Sequence, residues 1–366
     1  MQQKRGSKIY SIKKSPGIFS VSLCLCGGLF LAVATPAHAM HISEGILPFG
    51  WTAVWFAVAA PFVAVGIRRM NRLAKDDLSV KPLVGLMAAV VFIISCMPIP
   101  VPSAGTCSHP CGTGIAAILV GPFVSVLISA VALLIQALFL SHGGLSTLGA
   151  NIVSMGVVGS FTGWLVFQGG RRLGLSLAVA GFAAGIVADW GTYLATSAEL
   201  AAGIRGSEPF WPLFVKIAVA FIPTQLPLGI LEGAMTAGMV VLLHRKRPDL
   251  LVKMGVMKAA SRGAGTGGAV VLLAALLLGG MLLTPHPAHA ADKWNGVDEA
   301  VVEKIAKEHG RAAQEPLINT DRGDLLLFVF LLAGAAGGFA AGYWWRMLVV
   351  EKHGRQSEPQ PRREST

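Results

Sequence analysis

The chain has 366 residues, 54% of them hydrophobic and only 13% charged, with a formal net charge of +11. Soluble domains carry about 25% charged residues, so this composition excludes an ordinary water-soluble globular protein. The basic residues sit in short loops beside apolar runs, the distribution expected of cytoplasmic membrane loops and not of a nucleic-acid surface.

The first 39 residues read as a signal peptide. Lys4, Arg5, Lys8, Lys13 and Lys14 form a basic start, Ile18 to Val33 an apolar core, and Ala37-His38-Ala39 a small-residue cleavage site. The mature chain then reads as an all-α polytopic membrane protein, since several apolar runs approach the roughly 20 residues that cross a bilayer. Trp51 to Ile67 spans first and ends at Arg68, Arg69, Arg72 and Lys75. Pro82 to Pro98 returns. Ile99 to Val120 is broken by Pro100, Pro102, Pro110 and several glycines. It is expected to cross as a discontinuous helix, because irregular backbone at membrane depth is tolerated where it lines a site. Pro122 to Leu140, Ala150 to Gln168, Leu175 to Thr196 and Phe210 to Leu243 complete a bundle of about seven helices. Arg171-Arg172 and His244-Arg245-Lys246-Arg247 then fall inside, with Met40 outside.

The expected domains are a signal peptide over 1–39, a bundle over 40–250 and a cytoplasmic linker over 251–266. A segment over 267–350 carries two further spans, Gly267 to Leu283 and Asp324 to Val350, and a basic cytoplasmic tail covers 351–366. Between those two spans lies an outer polar loop with a short charged helix expected over Val297 to Arg311. Gly181 and Gly185, like Gly334, Gly338 and Gly342, repeat every four residues and mark faces for close helix packing.

Cleavage after Ala39 would leave Met40-His41 as a new N-terminus. Its amine, the His41 backbone nitrogen and the near imidazole nitrogen can chelate one ion in a plane. That arrangement suits tetragonal Ni(II), Cu(II) or Co(II) better than a tetrahedral zinc site. The plainer alternative is a cleavage site that happens to be followed by His. In the broken crossing lies Cys107-Ser108-His109-Pro110-Cys111. His109 either adds a fourth nitrogen to the plane or is a hydrogen-bonded loop residue. Cys107 and Cys111 either ligate, pair or pack. His142 and Asn151 sit in a second outer loop, where they either orient ligands and line the way in or belong to an ordinary turn. Glu44 is a candidate acceptor for an imidazole N–H. Asp189, Lys216 and Glu232, within apolar spans, are expected to form internal ion pairs.

Met40-His41-Ile42-Ser43-Glu44-Gly45, Thr106-Cys107-Ser108-His109-Pro110, the His142 to Asn151 loop and Thr224-Gln225-Leu226-Pro227-Leu228-Gly229-Ile230-Leu231-Glu232-Gly233 occur in order. In these motifs the chain resembles the CbiM/NikM family, the metal-binding membrane components of cobalt and nickel energy-coupling-factor transporters. The resemblance covers Met40 to about Leu250. It implies metal ligation by Met40, His41 and His109, with transported Co(II) or Ni(II) as cargo and no resident cofactor. It also implies a plasma-membrane location and partners: a transmembrane coupling subunit and cytoplasmic ATPase subunits. The chain itself contains no G-x-x-x-x-G-K-[ST] phosphate loop. The two-span segment from Gly267, whose loop carries Trp294-Asn295-Gly296-Val297-Asp298-Glu299, resembles the small N component of the same systems. The leader before Met40 and the cysteine at position 111 depart from the family pattern.

Cobalt import for cobalamin synthesis is the expected function, with nickel as the alternative cargo. Readings from other classes are a membrane zinc enzyme built on Cys107, His109 and Cys111, and a metal sensor that does not transport. The enzyme reading lacks a motif such as H-E-x-x-H that pairs zinc ligands with a general base.

Overall fold

The computed structural model describes residues 41–76, 80–101, 104–256, 296–316, 318, 328, 331 and 332. The expected signal peptide, Met40, most of the linker, nearly all of the two C-terminal spans with their glycine repeat, and the tail lie outside the described residues.

The described chain is mostly helical. Helix α1 is Phe49–Asp76 and α2 is Val80–Cys96. A small antiparallel hairpin follows, with β1 Ile99–Val101 paired to β2 Thr106–Ser108. Helix α3 is the short Thr113–Val120, and α4 is Pro122–Phe139. Helix α5 runs over Leu148–Arg172 and contains a π-helical stretch at Ile152–Gly159. Helices α6, Leu177–Ile204, and α7, Phe210–Lys246, form the most extensive helix pair. A short α8, Pro248–Lys253, ends the bundle.

Five of these helices, α1, α4, α5, α6 and α7, are long and apolar enough to cross a membrane, and α2 is a shorter apolar helix. Their outward faces carry large apolar side chains, including Ile93, Leu165, Val219, Ile222 and Leu226. Water would penalise that surface, whereas lipid does not. Inside, the spans are polar at intervals: Ser125, Ser129, Gln136, Ser160, Asp189, Thr192, Glu232 and Thr236 are buried. The inward polar groups mark the functional side of the bundle.

The broken crossing takes a form that the prolines alone did not specify. Residues 99–108 pair as a hairpin, and only the last eight residues, α3, are helical. Gly112 turns the chain from hairpin into helix at φ 71°, a left-handed conformation that suits glycine. The glycines of α6 do pack closely. A Cβ on Gly185 would lie 2.6 Å from the Glu232 carbonyl oxygen and 2.6 Å from Thr236 Oγ1. The small residue therefore sets how near α7 approaches.

The expected linker is described only to Val256. Over that stretch it is the end of α8 and a turn, with Leu251 and Val256 buried in the bundle core. The expected outer helix is α9, formed by a π-helical part, Asp298–Glu303, and an α-helical end, Lys304–Glu308. Its Val301, Val302, Ile305 and Ala306 share one apolar cluster with Ile42, Ile46 and Leu47.

Candidate metal centre

The residues after Met40 form a plug in the bundle that turns at Glu44 and Gly45. Ile42 and Ile46 are fully buried. Asn151, early in α5, clamps the plug by bonding both sides of one residue. The Ile42 N–H donates to Asn151 Oδ1 at 3.0 Å, and Asn151 Nδ2 donates to the Ile42 carbonyl at 3.2 Å. Thr147 Oγ1 donates to the same carbonyl. Glu44 accepts from the Ser146 N–H at 3.1 Å, so its carboxylate fastens the 142–151 loop and does not hold an imidazole as expected.

This clamp fixes His41 beside two other histidines. Ring centroids lie 5.3 Å apart for His41 and His109, 4.9 Å for His41 and His142, and 5.0 Å for His109 and His142. All three are buried, and one nitrogen of each falls within 4.8 Å of the others. His109 comes from the turn after β2 and His142 from the loop after α4.

The hydrogen bonds select which nitrogens remain available. His41 Nε2 lies 3.1 Å from Gln136 Oε1. Gln136 in turn donates through Nε2 to Ser95 Oγ at 2.7 Å, which fixes its oxygen toward the histidine. The network therefore assigns the proton of His41 to Nε2 and leaves the Nδ1 lone pair free. Nδ1 is the nitrogen nearest the backbone, the one needed to close a chelate ring with the N-terminal amide. Burial, with the nearby His109 second, pushes the pKa of His41 down to about 3 against the opposing bond from Gln136, so the ring is neutral near pH 7. At His109, Nδ1 lies 3.2 Å from the Pro110 carbonyl, which can only accept. The proton is thus on Nδ1, and His142 Nε2–H donates to His109 Nε2 at 3.0 Å, a bond that a bound cation would replace. The three buried imidazoles, held by a carbonyl and an amide oxygen, are the described histidine group whose nitrogens lie close enough together to hold one ion.

Residues 41–250 match the CbiM family, described as "Cobalt uptake substrate-specific transmembrane region". The chain belongs to the CbiM family. It is similar to "Cobalt transport protein CbiM" of Geobacter sulfurreducens, 72% identical over 336 residues that cover 92% of this chain and 96% of the relative. It is also similar to the protein of that name from Sorangium cellulosum, 56% identical over 221 residues, 60% of this chain and 98% of the relative. A solved structure described as a truncated transition metal transporter is similar over 56% of this chain and 99% of its own, with 27% identity and a TM-score of 0.50.

In this CbiM family member His41, His109, His142 and Asn151 converge. The two cysteines separate from them. Cys107 lies in β2, Cys111 turns into the bundle core, and no disulfide joins them. Among the described residues His109, Cys107 and Cys111 do not gather into one group of ligating atoms, and Cys111 groups instead with Asp189 and Glu232. The expected internal ion pairs are corrected as well. Lys216 is half-exposed and bonds Glu308 of α9 at 2.8 Å, and no described ion pair involves Asp189 or Glu232. Instead, Glu232 holds the loop that follows His109. Its two oxygens accept from the Cys111 N–H at 2.6 Å and the Gly112 N–H at 2.9 Å.

Sequence reasoning missed Gln136 and Ser95. A glutamine inside the apolar run Pro122–Phe139 was the available signal, because an uncompensated polar group at that depth is costly.

Proposed function

We propose that the protein is the metal-capturing permease subunit of an ATP-driven cobalt importer of the energy-coupling-factor type, supplying cobalt for cobalamin synthesis. The observation that carries this reading is the tautomer pair. His41 offers Nδ1, directly behind Met40 in sequence, and His109 offers Nε2 once a cation replaces its bond from His142. With the Met40 amine released by signal cleavage and the His41 amide, four nitrogens would surround one divalent cation. The names of the relatives favour cobalt over nickel, although a planar nitrogen set by itself suits nickel.

On this reading the bundle makes about seven crossings, counting the hairpin and α3 as one discontinuous crossing, with the mature N-terminus outside and the C-terminus cytoplasmic. ATP hydrolysis belongs to separate cytoplasmic subunits, coupled through a further membrane subunit. The segment from Gly267 acts as a fused N component that helps load the metal. Two observations support it. The Sorangium relative is matched almost whole by 60% of this chain, so the remainder is additional to it. In addition, α9 and the residues after it reach the plug: Glu303 accepts from Ser43 Oγ at 2.9 Å, and Arg311 Nε donates to the Ile46 carbonyl at 3.0 Å.

Uptake of radiolabelled cobalt by cells expressing the chain with and without the coupling and ATPase subunits tests the function. Uptake that requires both is expected. Binding without uptake under any combination would make the protein a sensor. N-terminal sequencing should return Met40.

A further inference from the structure

Beyond the histidines, a second group of ligating atoms lies inside the bundle. Cys111 Sγ and one oxygen each of Asp189 and Glu232 fall within 4.8 Å of one another, and all three residues are buried. The Asp189 carboxyl lies within hydrogen-bonding reach of the Glu232 carboxyl, and no other donor among the described residues reaches its oxygens. The hydroxyls of Thr113 and Thr236 in the adjoining helices lack a hydrogen-bond partner among the described residues. Two adjoining carboxyls out of water cannot both be ionised; metal-free they share a proton, and a divalent cation that displaces it would let both ionise. Glu232 spends one acceptor position of each oxygen on the Cys111 and Gly112 amides. Each carboxylate oxygen has a second, so the anchored group can still bind a cation.

We propose that Cys111, Asp189 and Glu232 form a second, inner binding site for a divalent transition-metal cation. Its role as a station on the import route rests on the transport reading above. Asp189 lies fifteen residues before the Ile204 end of α6, and Cys111 is two residues from His109, so this site adjoins the histidine group from mid-helix. The donor sets differ in kind. The outer site offers nitrogen in a plane, and the inner site offers one sulfur and carboxylate oxygens. A sulfur and oxygen set does not favour a square plane, so an ion that prefers tetragonal nitrogen gains least by moving inward. Successive sites of unlike affinity also let a tightly captured ion leave its first ligands. Cys111, outside the resemblance's ligand set, thereby acquires a function.

The test uses the full chain purified from membranes, stripped of metal and titrated with cobalt(II) alone. Bound equivalents and sulfur-to-cobalt charge-transfer absorption are read together. The wild type should bind a second equivalent that carries the sulfur band. Cys111→Ser should lose that band and equivalent while keeping the first, and Cys107→Ser should keep both. His109→Ala should lose the first equivalent and keep the band. Asp189→Asn, close in shape to the wild type, should lose the second equivalent even if the serine variant folds poorly. A wild type with one equivalent and no sulfur band overturns the inner site and leaves the transport reading standing. A sulfur band together with cobalt uptake that is insensitive to His109→Ala keeps the inner site and overturns the transport reading of the outer one. Undiminished uptake by Cys111→Ser would refute the role as a station.

Discussion

Replacing Gln136 by Leu removes the acceptor that fixes His41 while nearly preserving side-chain volume in α4. The His41 Nε2–H then loses its 3.1 Å partner, and Ser95 Oγ loses its 2.7 Å donor. Nothing would hold the proton on Nε2, and the Nδ1–H tautomer cannot chelate. Loss of the group that orients a metal-binding histidine costs roughly 10–100-fold in metal affinity, which is about 1.4–2.7 kcal/mol. An unpaired buried N–H costs a comparable ~1–3 kcal/mol, so the two estimates agree on scale. Calorimetric titration of cobalt into the detergent-purified protein measures the change. Gln136→Glu keeps an acceptor at the same place and should retain binding. Wild-type affinity in Gln136→Leu, or equal weakening in Gln136→Glu and Gln136→Leu, would refute the tautomer argument.

His142→Ala should weaken cobalt binding at the histidine site by about 10–100-fold and His109→Ala should abolish binding at that site, both read by the same titration. Glu232→Gln leaves one acceptor for two N–H donors, so the His109 loop should loosen with a stability loss of about 1–3 kcal/mol, seen as a lower Tm in detergent. Gly185→Ala pushes a methyl toward the Glu232 carbonyl and Thr236, and overpacking of about 1–3 kcal/mol should separate α6 from α7 and lower Tm. The folded pKa of His41 lies near 3, below its ordinary 6.5. The unfolded chain therefore binds the extra proton between those values, and the metal-free protein should lose stability as pH falls from about 6.5 toward 3. Thermal unfolding against pH should show a flatter dependence in His41→Gln.

The spans were legible because an apolar run of sufficient length has few alternatives in lipid. Five run as long helices within a few residues of their expected ends at the start, with α1 and α6 continuing about two turns further. The extension of α1 through Arg68, Arg69 and Arg72 is invisible to hydropathy, since long basic side chains at a helix end can reach water. The hairpin was not legible. Pro100 and Pro102 forbid a regular helix there, but pairing of Ile99 with Ser108 depends on neighbours that a local pattern does not contain. His41, His109 and His142 stood out as polar residues in loops between apolar runs, and the structure brings them together. Gln136 did not stand out, because one amide scarcely lowers the hydropathy of an eighteen-residue span. The misassigned ion pairs have a similar cause. Asp189, Lys216 and Glu232 all lie in apolar stretches, yet Lys216 is near the start of α7 and turns outward to Glu308, while the two acids are at mid-helix and turn inward. Which face a residue occupies is decided by packing, here by the close approach at Gly185.

The central claim is that the free amine of Met40 and the imidazole of His109 close one metal site that feeds import. It is tested most directly by cobalt uptake in cells that carry the partner subunits, comparing wild type, His109→Ala and a variant with one alanine inserted between Ala39 and Met40. The insertion preserves every side chain but turns the Met40 amine into an amide and makes His41 the third residue. Uptake by the wild type and none by either variant is expected. Normal uptake by the insertion variant would contradict the claim, because the Met40 amine would then not be a ligand.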